Sequence, residues 1–167
     1  MSLRDHHPSR RVFLLGILAT GMLTACEMTP AYGPGGTGTA LHGRVSLREP
    51  DDPDSFSLNR RLSERLGPET NAGYALNYRL TTASIGQGIT PDEVTTRYSL
   101  NGTADFTLTS ITTGETITQG RVSSFTSYSA VGTTIATLAA ERDAHERLMV
   151  MLADQILTRL LATGPRP

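Results

Sequence analysis

Apolar and polar residues alternate along the middle of the chain, as they do in strands that bury one face. The alternation is strict over residues 74–80 and predicts a strand there. A longer run over 94–108 keeps its apolar residues on one side, and Gly102 within it is expected to mark a bulge or a bend. Three turn-forming residues predict a loop between these two strands: Gly86, Gly88 and Pro91.

Two weaker alternating segments complete the predicted sheet. Residues 41–48 form its first strand. Residues 116–126 follow a turn at Thr113-Gly114 and return as the second arm of a hairpin. The apolar side changes partway along this arm, and Gly120 is the expected bulge site.

Helical spacing is present between the first two strands. Leucines recur at every fourth position, with arginines between them: Leu58, Leu62 and Leu66. Asp52 comes just before Pro53, an order that is typical of a helix cap followed by the first helical residue. We therefore predict a short amphipathic helix here.

A longer amphipathic helix is predicted over residues 137–162, and Gly164-Pro165 ends it. Its apolar stripe consists of Leu138, His145, Leu148, Met149, Leu152, Ile156 and Leu160. His145 lies near the edge of this stripe and is expected to be a core or boundary residue. We expect the helix to cover the sheet diagonally.

The predicted element order is β-α-β-β-β-α, which indicates an α+β fold. The economical arrangement is a two-layer sandwich, in which a four-stranded mixed sheet carries both helices on one face. The first two strands, which are joined through a helix, should be parallel with a right-handed crossover. The following pairs should be antiparallel, and the second face of the sheet should be polar.

Residues 1–25 have the pattern of a secretory signal peptide. Arginines precede an uncharged stretch over 12–25, which is too short to span a hydrocarbon core of about 30 Å as a helix. The stretch ends in Leu-Thr-Ala followed by Cys26, which looks like the lipobox of bacterial lipoproteins. Arg10-Arg11 also resembles a twin-arginine export motif, and an ordinary Sec signal accounts for the same residues.

A lipobox predicts that Cys26 receives a diacylglyceryl group, that the signal is cut before it, and that the new amine is acylated, for example with palmitate. Each buried CH₂ is worth roughly 0.8 kcal/mol, so three chains form a durable anchor. Glu27 follows the cysteine, where Asp is associated with inner-membrane retention in enterobacteria, and this favours the outer membrane. Residues 26–40 should be a lipidated flexible tether, and residues 41–163 a single domain.

Composition excludes several classes of function. All 15 basic residues are Arg, and the sequence has 16 acidic residues. The net charge of −1 is unlike the strongly positive charge of a dedicated nucleic-acid binder. The absence of Lys excludes a P-loop GK[ST] motif and Schiff-base chemistry. The single Cys excludes a CxxC site, and no Gly-x-Ser-x-Gly elbow occurs. We therefore predict no enzyme activity, no metal site and no cofactor other than the lipid on Cys26.

Three segments of the chain are similar to a known family. They are Cys26 with Thr29-Pro30-Ala31-Tyr32-Gly33, Thr96-Arg97-Tyr98-Ser99-Leu100, and Leu138-Ala139-Ala140-Glu141-Arg142-Asp143-Ala144 running into Leu152-Ala153-Asp154-Gln155-Ile156. Together with the element order, they resemble the lipopolysaccharide (LPS)-assembly lipoprotein family LptE, also called RlpB, in its alphaproteobacterial form.

This resemblance implies a non-enzymatic lipoprotein of the outer membrane that faces the periplasm and a barrel lumen. Family members plug the large LPS-translocating β-barrel LptD, help it assemble, and take part in LPS insertion into the outer leaflet. The implied partners are therefore LptD and LPS. The alternative is a generic periplasmic lipoprotein that binds a peptide or a cell-wall polymer through its exposed sheet face.

Four arginines are candidate LPS contacts: Arg79, Arg97, Arg121 and Arg142. The first three are expected on the polar face of the sheet, where a guanidinium fork could bind a lipid A phosphate through two hydrogen bonds. The fourth lies near the position of the last helix at which a Lys is implicated in LPS contact in some family members. The alternative is that they are solubilising charges paired with Asp105 or Glu115.

Overall fold

The computed structural model describes residues 30–89 and 95–165. The predicted signal peptide, Cys26 and Pro91 lie outside these residues. The elements, in chain order, are α1 (Thr37–Leu41), β1 (Val45–Leu47), α2 (Pro53–Leu66), β2 (Tyr74–Ile89), β3 (Thr95–Ser110), β4 (Thr116–Ser129) and α3 (Thr134–Thr163). No helix among the described residues is long and apolar enough to cross a membrane.

The four strands form one sheet in the order β1-β2-β3-β4. β1 is parallel to β2, whereas β2–β3 and β3–β4 are antiparallel, as predicted. Tyr78, on the inner face of β2, reaches Asn59 of α2 with its hydroxyl at 2.8 Å. Gly102, on the same face of β3, meets Leu148 of α3. Both helices therefore cover one face, and the predicted α+β fold with a mixed sheet is confirmed.

β2 is longer than the sequence predicts. Gly86 pairs with Tyr98 and Ile89 pairs with Thr95, so the segment expected to be a loop continues the hairpin. Glycine is a turn signal only where neighbouring residues offer no better backbone partner. Here the regular edge of β3 supplies that partner.

The two glycines that the sequence marks as bulge sites pair regularly instead. Gly102 faces Thr82 and Ser124 in unbroken register. A Cβ there would lie 2.8 Å from Cδ2 of Leu148, so the missing side chain lets α3 pack close to the sheet. Gly120 pairs with Phe106 and makes room for its ring.

The bulge of the β3–β4 ladder lies nearer the turn. Leu108 pairs with Thr118 and Thr109 with Thr116, which leaves Ile117 as the extra residue. The change in apolar parity along β4 is therefore real, but the residue that causes it is Ile117.

α2 begins as the sequence predicts. Oδ1 of Asp52 accepts a hydrogen bond from the backbone N–H of Ser55 at 2.6 Å, and the Ser55 hydroxyl oxygen accepts one from the backbone N–H of Asp52 at 3.0 Å. This reciprocal capping box precedes Pro53 at the first helical position. The three predicted leucines of the helix are all buried.

α3 packs its apolar stripe over the sheet only from Ala144 onward. The side chains of Leu152 and Ile156 are fully buried. Leu138 was predicted on the same stripe but is 48% exposed. No residue of the first turns of α3, 134–143, is buried. Correct helical phase therefore did not ensure burial, since these turns project beyond the core.

Ion pairs join α2 and α3 along their exposed seam. The Arg61 guanidinium contacts Asp154 with Nε at 2.9 Å, and Arg60 pairs with Glu146. His145 lies partly buried at the boundary of the core, and its Nδ1 is 2.9 Å from Asp54. These contacts bridge α2 and α3 along the edge of the core that the two helices share.

The described part of the predicted tether is folded. The N–H of Gly38 donates to the carbonyl of Ala31 at 2.8 Å, and Leu41 at the end of α1 is fully buried. Thr37 packs against Gly164 at the end of α3. Glycine-rich sequence indicated flexibility, but here the absence of side chains permits a tight loop that packs on the domain.

Candidate functional site

The sheet face turned away from the helices, called the outer face below, is polar as predicted. Its residues at the centre of β2, β3 and β4 are Asn77, Arg79, Thr81, Thr103, Asp105, Thr107, Gln119, Arg121 and Ser123. Such a surface is suited to contact with other polar surfaces or with charged ligands.

The register places two of the candidate arginines on either side of one carboxylate. Arg79 of β2 pairs with Asp105 of β3, which pairs in turn with Arg121 of β4. Arg121 binds Asp105 through Nε at 2.6 Å to Oδ1 and through Nη2 at 3.0 Å to Oδ2. This row of three charges has a net charge of +1.

Electrostatics within the row leave one guanidinium available. The hydrogen bonds from Arg121, and in lesser part the charge of Arg79, hold the pKa of Asp105 below its ordinary value, so the carboxylate stays ionised. Arg121 uses its fork on this partner, whereas Arg79 makes no ion pair within residues 30–89 and 95–165. Arg79 also lines a shallow depression of about 420 Å³, together with Asn77, Tyr78, Asp105 and Thr107. Arg79 is therefore the one guanidinium of this row that faces no carboxylate at ion-pair distance among the described residues.

Arg97 lies on the outer face but not in the row. It pairs with Gln87 and Ser129, eight residues along β3 from Asp105. At about 3.3 Å per residue, this separation is roughly 26 Å. Arg97 and the row therefore cannot hold the same phosphate, although a large ligand could reach both.

Arg142 lies in the helix layer, on the other side of the molecule from the outer face. It is exposed on α3 and borders a cleft of about 560 Å³ between the start of α2 and the first half of α3. The ionisable residues around this cleft are Asp52, Asp54, Glu141, Arg142, His145 and Glu146. Four carboxylates make the cleft a poor site for a phosphate, so the structure does not bring Arg142 together with the sheet arginines.

A group of exposed apolar side chains lies toward the end of the sheet where β2 turns into β3, called the hairpin end below. Phe125 and Ile85 are 70% and 54% exposed on the outer face, and Val131, Ile135 and Leu138 are exposed where β4 leads into α3. Sequence reasoning missed this group. The sequence signal that could have found it is that Phe125 and Ile85 are apolar residues at positions that alternate with the buried side chains of their strands.

No group of three or more His, Cys, Asp or Glu is placed to hold a metal ion in the part of the chain that the structure describes. The lipidation candidate, Cys26, lies outside that part. The described polar groups of the outer face are arginine guanidinium, hydroxyl, amide and carboxylate groups.

Residues 43–160 match the model of the family LptE, described as Lipopolysaccharide-assembly. No curated protein matches the sequence. Among solved structures, a candidate lipoprotein of Caulobacter crescentus CB15 is similar at 20% identity and a TM-score of 0.62, covering 75% of this chain and 93% of that one. The rare lipoprotein B of Shewanella oneidensis is similar at 14% identity and a TM-score of 0.56, covering 72% and 93%.

A minor lipoprotein of Acinetobacter baumannii is similar at 21% identity and a TM-score of 0.56, covering 75% of this chain and 95% of that one. At such low identities these structures show the shared fold alone. The family match covers β1 through most of α3, which is the whole sheet and both helices packed on it.

Proposed function

Because the chain belongs to the lipopolysaccharide-assembly family LptE, we propose that it is an outer-membrane lipoprotein that plugs the β-barrel LptD and helps it assemble. The observation that carries this proposal is the family match over 43–160. In this role the protein acts by binding rather than by catalysis, and its only covalent group is the lipid on Cys26. The acyl chains on Cys26 hold it in the inner leaflet of the outer membrane.

The polar outer face supports the plug. The lumen of a transmembrane barrel is polar, so a plug needs a surface of hydroxyl, amide and charged groups. The long hairpin supports it as well, because the sixteen residues of β2 extend about 50 Å at about 3.3 Å per residue. A hydrocarbon core is about 30 Å thick, so a domain of this length can occupy the full height of a lumen.

The arginines of the outer face supply the proposed contact with LPS during its insertion into the outer leaflet. Arg79 carries the available guanidinium of the central row, and Arg97 offers a second charge nearer the hairpin end. Arginine binds phosphate through two parallel hydrogen bonds, which suits the phosphates of lipid A. Arg142 is a weaker candidate because of the carboxylates around its cleft.

Co-purification in mild detergent tests the proposal. The tagged full-length protein should bring down a large β-barrel in a one-to-one ratio, and the complex should survive high salt. The alternative, a lipoprotein that binds a peptide or a cell-wall polymer through its sheet face, predicts sedimentation with peptidoglycan and no stoichiometric barrel. The second result would reject the plug.

A further inference from the structure

Several elements of the domain meet at the end of the sheet opposite the hairpin end, called the α1 end below. It comprises α1, the connection 67–73, the turn 110–115 and the end of α3. The N–H of Gly43 donates to the carbonyl of Leu66 at 2.7 Å, and the N–H of Ile111 donates to the carbonyl of Gly73 at 3.0 Å. Thr163 of α3 and Thr118 of β4 hydrogen bond at 2.8 Å.

Tyr32 is held at this end by a tight loop. A Cβ on Gly38 would lie 2.7 Å from the Tyr32 ring, so the ring rests directly on the glycine backbone. The hydroxyl of Thr39 donates to the carbonyl of Gly33 at 3.1 Å and closes the loop. The ring is nevertheless 54% exposed, so a large aromatic side chain is fixed in place and faces outward.

The distance from Tyr32 to the anchor is short. Ala31 lies five positions after Cys26, and a chain extends at most about 3.6 Å per residue, so the folded loop starts within about 18 Å of the lipidated cysteine. The headgroup layers account for the difference between about 30 Å and about 40–45 Å of bilayer thickness, or roughly 5–8 Å on each side. The hairpin end lies about 50 Å away along the sheet. The anchor therefore holds the α1 end, and not the hairpin end, at the membrane surface.

The chemistry of the α1 end suits an interface more than a charged surface. Tyrosine has an apolar ring and a polar hydroxyl, and it is enriched where a bilayer meets water. The charged residues of this end are nearly balanced: Arg44, Arg65, Glu69, Glu115 and Arg159. Attraction to anionic headgroups is therefore weak, and the aromatic ring is the principal contact.

We propose that the α1 end is a lipid-contacting surface, with the Tyr32 ring seated in the headgroup region of the leaflet that holds the acyl chains of Cys26. The inference rests on the lipidation stated under the proposed function, and it adds which surface of the domain faces the bilayer. It orients the domain in the barrel: with the α1 end at the inner leaflet, the hairpin end is the part of the plug that reaches toward the outer leaflet.

The absence of Trp from the sequence allows a direct test. Y32W and F125W each introduce one indole, at two exposed aromatic positions on opposite halves of the domain. Each lipidated full-length variant is reconstituted into vesicles of phosphatidylcholine with or without bromine atoms on its acyl chains. We expect a blue-shifted emission that bromine quenches for Y32W, with neither effect for F125W, and no change between low and high salt.

Two results separate this inference from the proposed function. If mass spectrometry shows acyl chains on Cys26 but bromine leaves Y32W unquenched, or quenches both variants equally, the lipid-contacting surface is wrong and the anchor stands. If Cys26 carries no acyl chain, both fail. Should Y32W melt below the wild type, a nitroxide on T112C, exposed in the turn 110–115 of the same end, replaces it, and greater collision with lipid-dissolved oxygen than with aqueous nickel is the expected result.

Discussion

Cys26 is the residue on which the location of the protein depends. Without its thiol, diacylglyceryl transfer has no acceptor, and signal cleavage at the lipobox should fail. C26A should leave the outer-membrane fraction and accumulate with its signal uncleaved or in soluble form, which fractionation and intact mass measure. The lipoprotein assignment would be contradicted if C26A still fractionated with the outer membrane and if the intact mass of the wild type showed no acyl chains.

The charge row on the outer face allows two opposite substitutions. R79A removes the available guanidinium, whereas D105N removes the carboxylate that competes with a phosphate for Arg121. If the row binds LPS, R79A should weaken binding by about 1.5 kcal/mol, or roughly tenfold, and D105N should strengthen it, both more strongly at low salt. Titration with fluorescent LPS measures the two effects.

Extending the series to Arg97 and Arg121 distinguishes the remaining interpretations. A variant with Ala at Arg79, Arg97 and Arg121 should fold normally, keep the barrel and lose LPS. Unchanged LPS binding in this variant and in D105N would make the three arginines solubilising charges, of which Arg121 is paired with Asp105. Loss of the barrel would assign them to the interface with LptD.

At the scale of elements, the start of α2 depends on one carboxylate. Hydrogen bonds from the backbone and side chain of Ser55 lower the pKa of Asp52. Because the pKa of Asp52 is lower in the folded chain, its ionised carboxylate stabilises the fold at pH values above the pKa of an unfolded Asp, about 3.9. This contribution to the free energy of unfolding is lost as the pH falls through the pKa of Asp52 in the folded chain. The cap is exposed, so its effect should be modest.

The matched variants for this cap are D52A and D52N. At pH 7, D52A should lower the free energy of unfolding by about 1 kcal/mol, and D52N by less, because Asn also caps helices well. The gap between wild type and D52A should narrow below about pH 4, as urea denaturation at a series of pH values would measure. A gap that stays constant down to pH 3 would contradict the assigned role of the charged cap.

The burial of α3 gives a second prediction at this scale. Leu152 and Ile156 are fully buried against the sheet, so replacing either with Ala should cost roughly 2–5 kcal/mol. L138A is the matched control on the same helix, and it should change stability by no more than about 0.5 kcal/mol because about half of the Leu138 side chain is exposed. Equal destabilisation by L138A and L152A would mean that the first turns of α3 are packed.

The elements also show how far sequence patterns reach. Periodicity predicted the strands of the hairpins and the helices α2 and α3, and the order of these elements predicted that β1 and β2 are parallel, because each pattern involves residues close together in the chain. It did not predict the roles of Gly86, Gly102 and Gly120, since those depend on partners far away in sequence: the edge of β3, Leu148 and Phe106. The exposure of Leu138 was not predicted for the same reason. The spacing of apolar residues shows which side of a helix they lie on, but not where the sheet beneath the helix ends.

At the scale of the whole molecule, parity placed three of the candidate arginines on the outer face, but it could not group them. The grouping of Arg79 with Asp105 and Arg121, and the distance to Arg97, follow from strand register, which the sequence leaves open. The docking of α1 was equally out of reach, because a glycine-rich segment predicts a tether whether or not a surface exists for it to pack on.

The central claim is that the domain fills a barrel, and a plug must touch its barrel on opposite sides. Photo-crosslinking amino acids at Ser123, on the outer face, and at Thr158, exposed on α3 in the helix layer, test this in living cells. We predict that both positions form adducts with the same large β-barrel. Adducts from one face only would indicate a peripheral partner, and adducts from neither face, or with peptidoglycan instead, would contradict the plug.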